Sequence, residues 1–121
     1  MLLDTNIVIE LFKGNLRVSA FLREQDVLSV CSVSVMELYY GALDKRELNS
    51  IQQALRAFSV IHIDEEISAE AVALIAKYAK SHGLAIPDSI IAATARIKQM
   101  PLCTLNVKDF RYIAGLELVT I

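Results

Sequence analysis

Met1-Leu2-Leu3-Asp4-Thr5-Asn6-Ile7-Val8-Ile9-Glu10-Leu11-Phe12 opens the chain, and its order decides the fold. A short apolar run ends at an acid, and a helical pattern follows at once. Met1 to Leu3 predicts a first strand. Thr5 and Asn6 predict a cap for a helix over Ile7 to Phe12, which Gly14 ends. The same order recurs further on. Val27 to Cys31 predicts a strand apolar enough to be buried on both faces. Ser32 or Ser34 then caps a helix running to Tyr40, with Gly41 near its end.

Outward from these two units the alternation continues. Leu16 to Arg23 predicts a second short helix, and Leu48, Ile51, Leu55 and Phe58 recur at helical spacing. Val60 to Ile63 predicts a strand. Ile67, Ala71, Leu74, Ile75 and Tyr78 mark an amphipathic helix that stops near Gly83. Pro87 suits the first turn of a helix reaching to about Gln99. Leu102 to Thr104 and Glu117 to Ile121 supply the last two strands. Strands alternating with helices predict an α/β fold, a mostly parallel sheet flanked by helices in three layers. At 121 residues the expectation is a single domain over residues 1–121.

The mean hydropathy of +0.45 exceeds what the core of so small a domain needs. Part of the apolar surface is therefore expected to meet a partner, and helical residues such as Leu48, Ile51, Leu55, Ala73 and Ile75 point to a homodimer. A second apolar surface is expected on the first two helices, around Leu11, Phe12, Leu16 and Phe21, shaped to hold a partner helix. No apolar run approaches the ~18 residues of a membrane span, and no charged-then-apolar leader is visible, so the chain reads as cytoplasmic. The formal charge of −2 argues against a protein that grips nucleic acid by charge alone. Cys31 and Cys103 read as core thiols, and two isolated cysteines make no zinc site.

Four acids stand where predicted elements begin or end: Asp4, Glu37, Asp88 and Asp109. Each has apolar neighbours, and a carboxylate set among core residues is unfavourable unless something pairs with it. No Lys or Arg is close in sequence to the first three. Ligands of parallel α/β sheets bind beyond the carboxyl ends of the strands, and the four acids are expected to share that rim. Brought together they repel, which demands a cation. Oxygen-only ligands select a hard one, Mg²⁺ or Mn²⁺.

Each acid also has a plainer reading. Asp4 serves as a helix cap, Glu37 as part of a solvated helix face, Asp88 as a first-turn acid facing the helix dipole, and Asp109 as a loop acid paired with Lys108 or Arg111. It is their occurrence as a set that points to chemistry. Positive charge for a nucleic-acid backbone is sparse, with Lys13, Arg17, Lys108 and Arg111 the candidates. His62 and His82 read as surface or satisfied histidines. No Ser-His-Asp order, Gly-rich phosphate loop or zinc spacing occurs.

Four stretches carry a family resemblance. They are Leu2-Leu3-Asp4-Thr5-Asn6-Ile7-Val8-Ile9, Ser32-Val33-Ser34-Val35-Met36-Glu37-Leu38-Tyr39-Tyr40-Gly41-Ala42, Ile86-Pro87-Asp88-Ser89-Ile90-Ile91-Ala92-Ala93-Thr94-Ala95 and Leu102-Cys103-Thr104-Leu105-Asn106-Val107-Lys108-Asp109-Phe110. In this order they resemble the PIN-domain ribonucleases, above all the VapC toxins of bacterial and archaeal toxin–antitoxin pairs, over essentially the whole chain. The resemblance implies a Mg²⁺-dependent endoribonuclease, with Mn²⁺ as an alternative metal, an RNA substrate, a small inhibitory antitoxin and a homodimer. It maps the catalytic carboxylates onto Asp4, Glu37, Asp88 and Asp109, with Asp4, Asp88 and Asp109 as metal ligands. Thr5, Asn6, Thr104 and Asn106 are implied in support. Many relatives carry Asp where this chain has Asn106, and others carry the acid just before the Phe. Asp109 is therefore the expected fourth carboxylate, with Asn106 a neutral neighbour able to hold a metal-bound water.

Three rival readings remain at this level. A phosphoryl-transfer or receiver domain also places Asp at strand ends, but it calls for Asp-x-Asp, and Asp4 is followed by Thr5 and Asn6. The others are a non-toxin RNA-processing nuclease of the same fold and a catalytically silent binding module. Four intact acids argue against the last.

Overall fold

A computed structural model describes residues 1–121. Five short strands form one sheet: β1 (Leu2–Leu3), β2 (Ser29–Cys31), β3 (Ser59–Ile61), β4 (Leu102–Cys103) and β5 (Leu118–Val119). Their spatial order is β3-β2-β1-β4-β5, and every neighbouring pair is parallel. Six helices connect them: α1 (Thr5–Phe12), α2 (Leu16–Arg23), α3 (Ser32–Tyr40), α4 (Lys45–Ala54), α5 (Glu65–His82) and α6 (Ile86–Ile97). Single 3₁₀ turns occupy Leu55–Ala57 and Val107–Asp109.

The strands sort their side chains by the period of two. Leu2, Cys31 and Leu102 face a core built from α5 and α6, with Ile67, Leu74 and Ile91 at its centre. Leu3, Val30 and Cys103 face the opposite core, built from α1, α2 and α4 around Ile7, Val8, Val18 and Ile51. The three central strands are thus covered on both sides, which explains why they read as unbroken apolar runs. The expected α/β architecture, with a parallel sheet between helical layers, is the one observed.

Several boundaries and caps differ from expectation. Thr5 and Asn6 lie inside α1, and Asp4 is its N-cap, with Oδ1 accepting from the Thr5 amide. Neither Ser32 nor Ser34 caps α3. The chain passes from β2 into α3 at Cys31 with no side-chain cap. β2 begins at Ser29 because Val27 is exposed, and β3 ends at Ile61 because Ile63 is exposed. The Leu48–Phe58 pattern continues past α4 as a 3₁₀ turn, so Leu55 still reaches the core. Helix α6 stops at Ile97, and Gln99 adopts a positive φ of 53°. The last strand shrinks from Glu117–Ile121 to Leu118–Val119.

The apolar faces also differ. Ile51 and Leu55 are buried in the second core, and Leu48 is half-buried, so α4 is not the open face that the sequence suggested. Leu11 and Phe21 pack against that same core rather than forming a groove between α1 and α2, while Leu16 is exposed. No helix is long and apolar enough to cross a membrane.

Phe110 is almost fully buried in the first core and fixes the 3₁₀ turn that carries Asp109. Phe110→Ala should lower stability by about 3–5 kcal/mol, the usual loss for a buried aromatic ring. Urea unfolding monitored by circular dichroism reads the difference.

Candidate active site

The order β3-β2-β1-β4-β5 reverses direction between β1 and β4. At such a switch point the two connections leave in opposite directions and open a crevice at the carboxyl ends of the strands. Asp4 is the first residue after β1, and Thr104 the first after β4. They meet across the crevice: Thr104 Oγ1 donates to Asp4 Oδ2 at 2.8 Å. Asp4 Oδ1 accepts from the Thr5 amide at 2.8 Å, and the Asp4 amide donates to the Cys103 carbonyl at 2.9 Å. With an exposure of only 6%, Asp4 is a buried acid fixed in one orientation.

Thr104 is itself held. Its hydroxyl oxygen accepts from the Asn106 amide at 3.0 Å while it donates to Asp4. Asn106 thus contributes its backbone to the site, and its side chain is exposed. Asn6 Oδ1 lies 3.5 Å from the Leu105 amide, a marginal contact that links α1 to the same loop.

Glu37 arrives from α3. It lies in the second turn rather than the first, and it is exposed, not enclosed by core, since its neighbour Met36 is exposed too. Thr5 Oγ1 lies 2.8 Å from Glu37 Oε1 and 2.8 Å from Ser34 Oγ. One hydroxyl carries one proton. The charged carboxylate is the stronger acceptor, so Thr5 donates to Glu37 and accepts from Ser34. Ser34 is fully buried, one turn before Glu37 on the same helix face. The sequence reading placed it only as a cap. Its spacing of three from Glu37 was the available signal.

Asp88 occupies the first turn of α6, half-buried. Asp109 ends the 3₁₀ turn, also half-buried. Glu37 and Asp109 both act electrostatically on Asp4 and on Asp88, and Asp4 acts on Asp88. Burial raises the Asp4 carboxyl above its ordinary pKa, and Glu37 and Asp109 add to the rise. The bonds from Thr104 and Thr5 oppose it without cancelling it. Asp88 is pushed up to about 6, first by burial and then by the charges of Asp4, Asp109 and Glu37. The α6 dipole favours a charged Asp88. Burial and repulsion outweigh it. The Cys103 thiol is pushed up to about 11 by burial and by Asp4, so it stays protonated and unreactive.

No cation compensates these charges internally. The two ion pairs of the chain, Arg96–Glu70 at 3.2 Å and Lys98–Asp64 at 3.7 Å, tie α6 to α5 and to the residue that caps it, away from the four acids. Lys108 and Arg111 flank Asp109 in sequence, are exposed, and do not pair with it. Lys13 caps the C-terminus of α1, and Arg17 donates to the Ile121 carbonyl at 3.1 Å. The donor chemistry therefore fits a hard divalent cation: all oxygen, acidic, and without an internal counter-charge. No three of these side chains close on one point at ligand distance in this geometry. Asp4 is held by two hydrogen bonds, whereas Asp88 receives no stabilising hydrogen bond.

A doubly covered parallel sheet with an acidic crevice at its switch point defines the class of protein. The chain belongs to the PIN-domain family, whose profile matches residues 1–116. It is 30% identical over 114 residues to Ribonuclease VapC10 of Mycobacterium tuberculosis, covering 91% of this chain and 85% of that protein. It is also 30% identical over 126 residues to the tRNA(fMet)-specific endonuclease VapC of Shigella flexneri, covering 96% and 93%. Among solved structures, a toxin–antitoxin complex from Klebsiella pneumoniae superposes with a TM-score of 0.83 at 35% identity, covering 98% of this chain and 95% of that one. The resemblance carried by the four sequence stretches is thereby established at the level of the family.

The raised Asp88 pKa has a sign that can be checked. An acid whose folded pKa exceeds its unfolded value, 3.8, takes up protons on folding. Its destabilising effect is absent below pH 4, grows between pH 4 and about 6, and is complete above. In metal-free buffer at pH 7, Asp88→Asn should therefore raise stability. The gain is on the order of 1 kcal/mol once solvent screening at a half-exposed site is discounted. The advantage should vanish as the pH is lowered through that window, which paired chemical-denaturation curves at pH 7 and pH 4 test.

Proposed function

We propose that this protein is a Mg²⁺-dependent endoribonuclease that acts as the toxin of a toxin–antitoxin pair. The observation that carries the reading is the group of four uncompensated acids around Asp4 at the switch point of the sheet. The names of its relatives, Ribonuclease VapC10 and the tRNA(fMet)-specific endonuclease VapC, support RNA as the substrate. Asp4, Asp88 and Asp109 would hold the cation, which supplies a water acidic enough to attack and a sink for phosphate charge. Asp4 is pre-set for this by Thr104 and Thr5. Glu37, steered by Thr5, accepts the proton of the attacking water. Lys108 and Arg111, exposed and unpaired, suit phosphates on one side of the crevice. Lys13 and Arg17 suit the strand beyond α1.

A groove of about 540 Å³ runs between α1, α3 and α4, lined by Ile9, Phe12, Lys13, Leu38, Gly41 and Ile51, with Glu37 at its margin. It takes the place of the groove expected between α1 and α2. An apolar helix of an antitoxin laid there, ending in Arg or Lys beside Glu37, would neutralise the acids and block the site without a change of fold. The Klebsiella pneumoniae structure, a toxin–antitoxin complex, supports such a partner. A homodimer is proposed through the α5–α6 face, where Ile63, Val72 and Ile86 are exposed around a shallow apolar groove with Ile75 and Ile90.

Asp4→Asn and Asp88→Asn should each reduce cleavage of RNA to background while the circular dichroism spectrum stays that of the native fold. Chelation by EDTA should do the same, and added Mg²⁺ should reverse it. Asp109→Ala should lose far more activity than Asn106→Ala, because only the backbone of Asn106 enters the site. Undiminished cleavage by Asp4→Asn, or in EDTA, contradicts the reading.

In sedimentation equilibrium at micromolar concentration, the free chain should run as a dimer, and Val72→Glu should shift it to monomer. A monomeric wild type removes the dimer.

A further inference from the structure

Beside the acids stands a ladder of three aromatic rings that the proposed chemistry does not use. Tyr78 on α5 is buried, Tyr112 is half-buried, and His82 at the end of α5 is exposed, so the rings lead from the core to the surface. Tyr78 and Tyr112 are tilted with centroids 5.0 Å apart. The His82 imidazole lies nearly parallel to Tyr112, with centroids 4.2 Å apart and 14° between planes. Tyr78 meets His82 edge-on at 5.7 Å. Ser81 Oγ lies 2.8 Å from His82 Nδ1 and fixes the outer ring. Gly83 then turns the chain away with φ 71°, which leaves His82 at the end of the helix.

The position of the ladder matters as much as its shape. Tyr112 follows Asp109 by three residues, beyond the turn anchored by Phe110. Its phenol feels the charges of both Asp88 and Asp109. Lys77 Nζ lies 5.3 Å from the centroid of the Tyr78 ring, and Lys108 and Arg111, on either side of Asp109 in sequence, are exposed. A flat, pre-ordered ring stack, bordered by cations and set beside an acidic cleavage site, is the arrangement that holds unpaired bases. Every base offers a π-face, so such a stack takes a base whatever the sequence. A purely structural ladder has no need to leave its outermost ring exposed and locked in plane.

We propose that the His82–Tyr112 stack is a nucleobase subsite, which takes an unpaired base of single-stranded RNA next to the phosphodiester cleaved at Asp4 and Asp88. This rests on the ribonuclease reading. The subsite would favour cleavage in loops and unpaired segments, since a base locked in a duplex cannot reach the stack.

The test uses the full-length chain and a short single-stranded RNA with a 2-aminopurine at a neighbouring position, whose fluorescence falls when it stacks. Binding is followed in EDTA at low salt, and cleavage of the same RNA in Mg²⁺. Wild type should quench the probe. His82→Ala should weaken binding about tenfold and abolish the quench, with the thermal midpoint unchanged, and should raise KM more than it lowers kcat. His82→Phe, which keeps a flat ring without the ring nitrogens, should restore both signals. Tyr112→Leu should lose the quench as well, with a lower thermal midpoint because Tyr112 packs against the first core. Wild-type quench and affinity in His82→Ala, or no rescue by His82→Phe, overturn the subsite while the nuclease stands. A wild type that neither binds nor cleaves RNA overturns the ribonuclease reading and the subsite with it.

Discussion

The hydrogen bond from Thr104 to Asp4 joins the ends of the two strands between which the sheet changes direction. Asp4 caps α1 with one carboxylate oxygen and accepts from Thr104 with the other, so a single side chain sets the start of the first helix and closes the top of the sheet. Thr5 extends the arrangement to Glu37 and Ser34 on α3, and Thr104 extends it to the loop that leads to Asp109. These few bonds position Asp4, Thr104 and Glu37, while α6 carries Asp88 and the turn anchored by Phe110 carries Asp109. A buried acid is normally unfavourable. Here the surrounding fold is strong enough to keep it.

The electrostatics follow from that placement. Once Asp4 is buried at the switch point, Glu37 and Asp109 add to the rise in its pKa, and the Asp4 charge adds to the rise in that of Asp88. The chain contains basic residues, yet its two ion pairs lie on α5 and α6 and none reaches the crevice. The polypeptide leaves a concentration of negative charge unresolved, and that is the physical basis for proposing a divalent cation and phosphate chemistry at the crevice.

Much of this was legible in the sequence, and for identifiable reasons. Leu2–Leu3, Val30–Cys31 and Leu102–Cys103 are buried on both sides, so each reads as an apolar run, and the polar residue that follows (Asp4, Ser32 or Thr104) marks the rim. Amphipathic spacing located α5, and Pro87 marked the start of α6. Caps were less legible, because Asp, Thr and Asn stand together at residues 4–6 and any of them can cap a helix. The faces of α4 were misread, since its apolar residues fill the second core beneath a chain of short strands. Ser34 was read only as a cap although it stands three residues before Glu37, and the His82–Tyr112 pair was invisible. The first looks like an ordinary helix serine, and the rings come together only when α5 and the segment after Asp109 pack side by side.

The central claim is that a divalent cation binds at this crevice and nowhere else on the chain. Titration of the ¹⁵N-labelled protein with substoichiometric Mn²⁺, observed by two-dimensional amide NMR, tests it most directly, because paramagnetic broadening falls off steeply with distance from the ion. The account predicts that the amides of Thr5, Asp88, Leu105 and Asp109 broaden first and together, and that Asp4→Asn abolishes the effect. Broadening centred elsewhere, or spread evenly over the acidic surface, would contradict it.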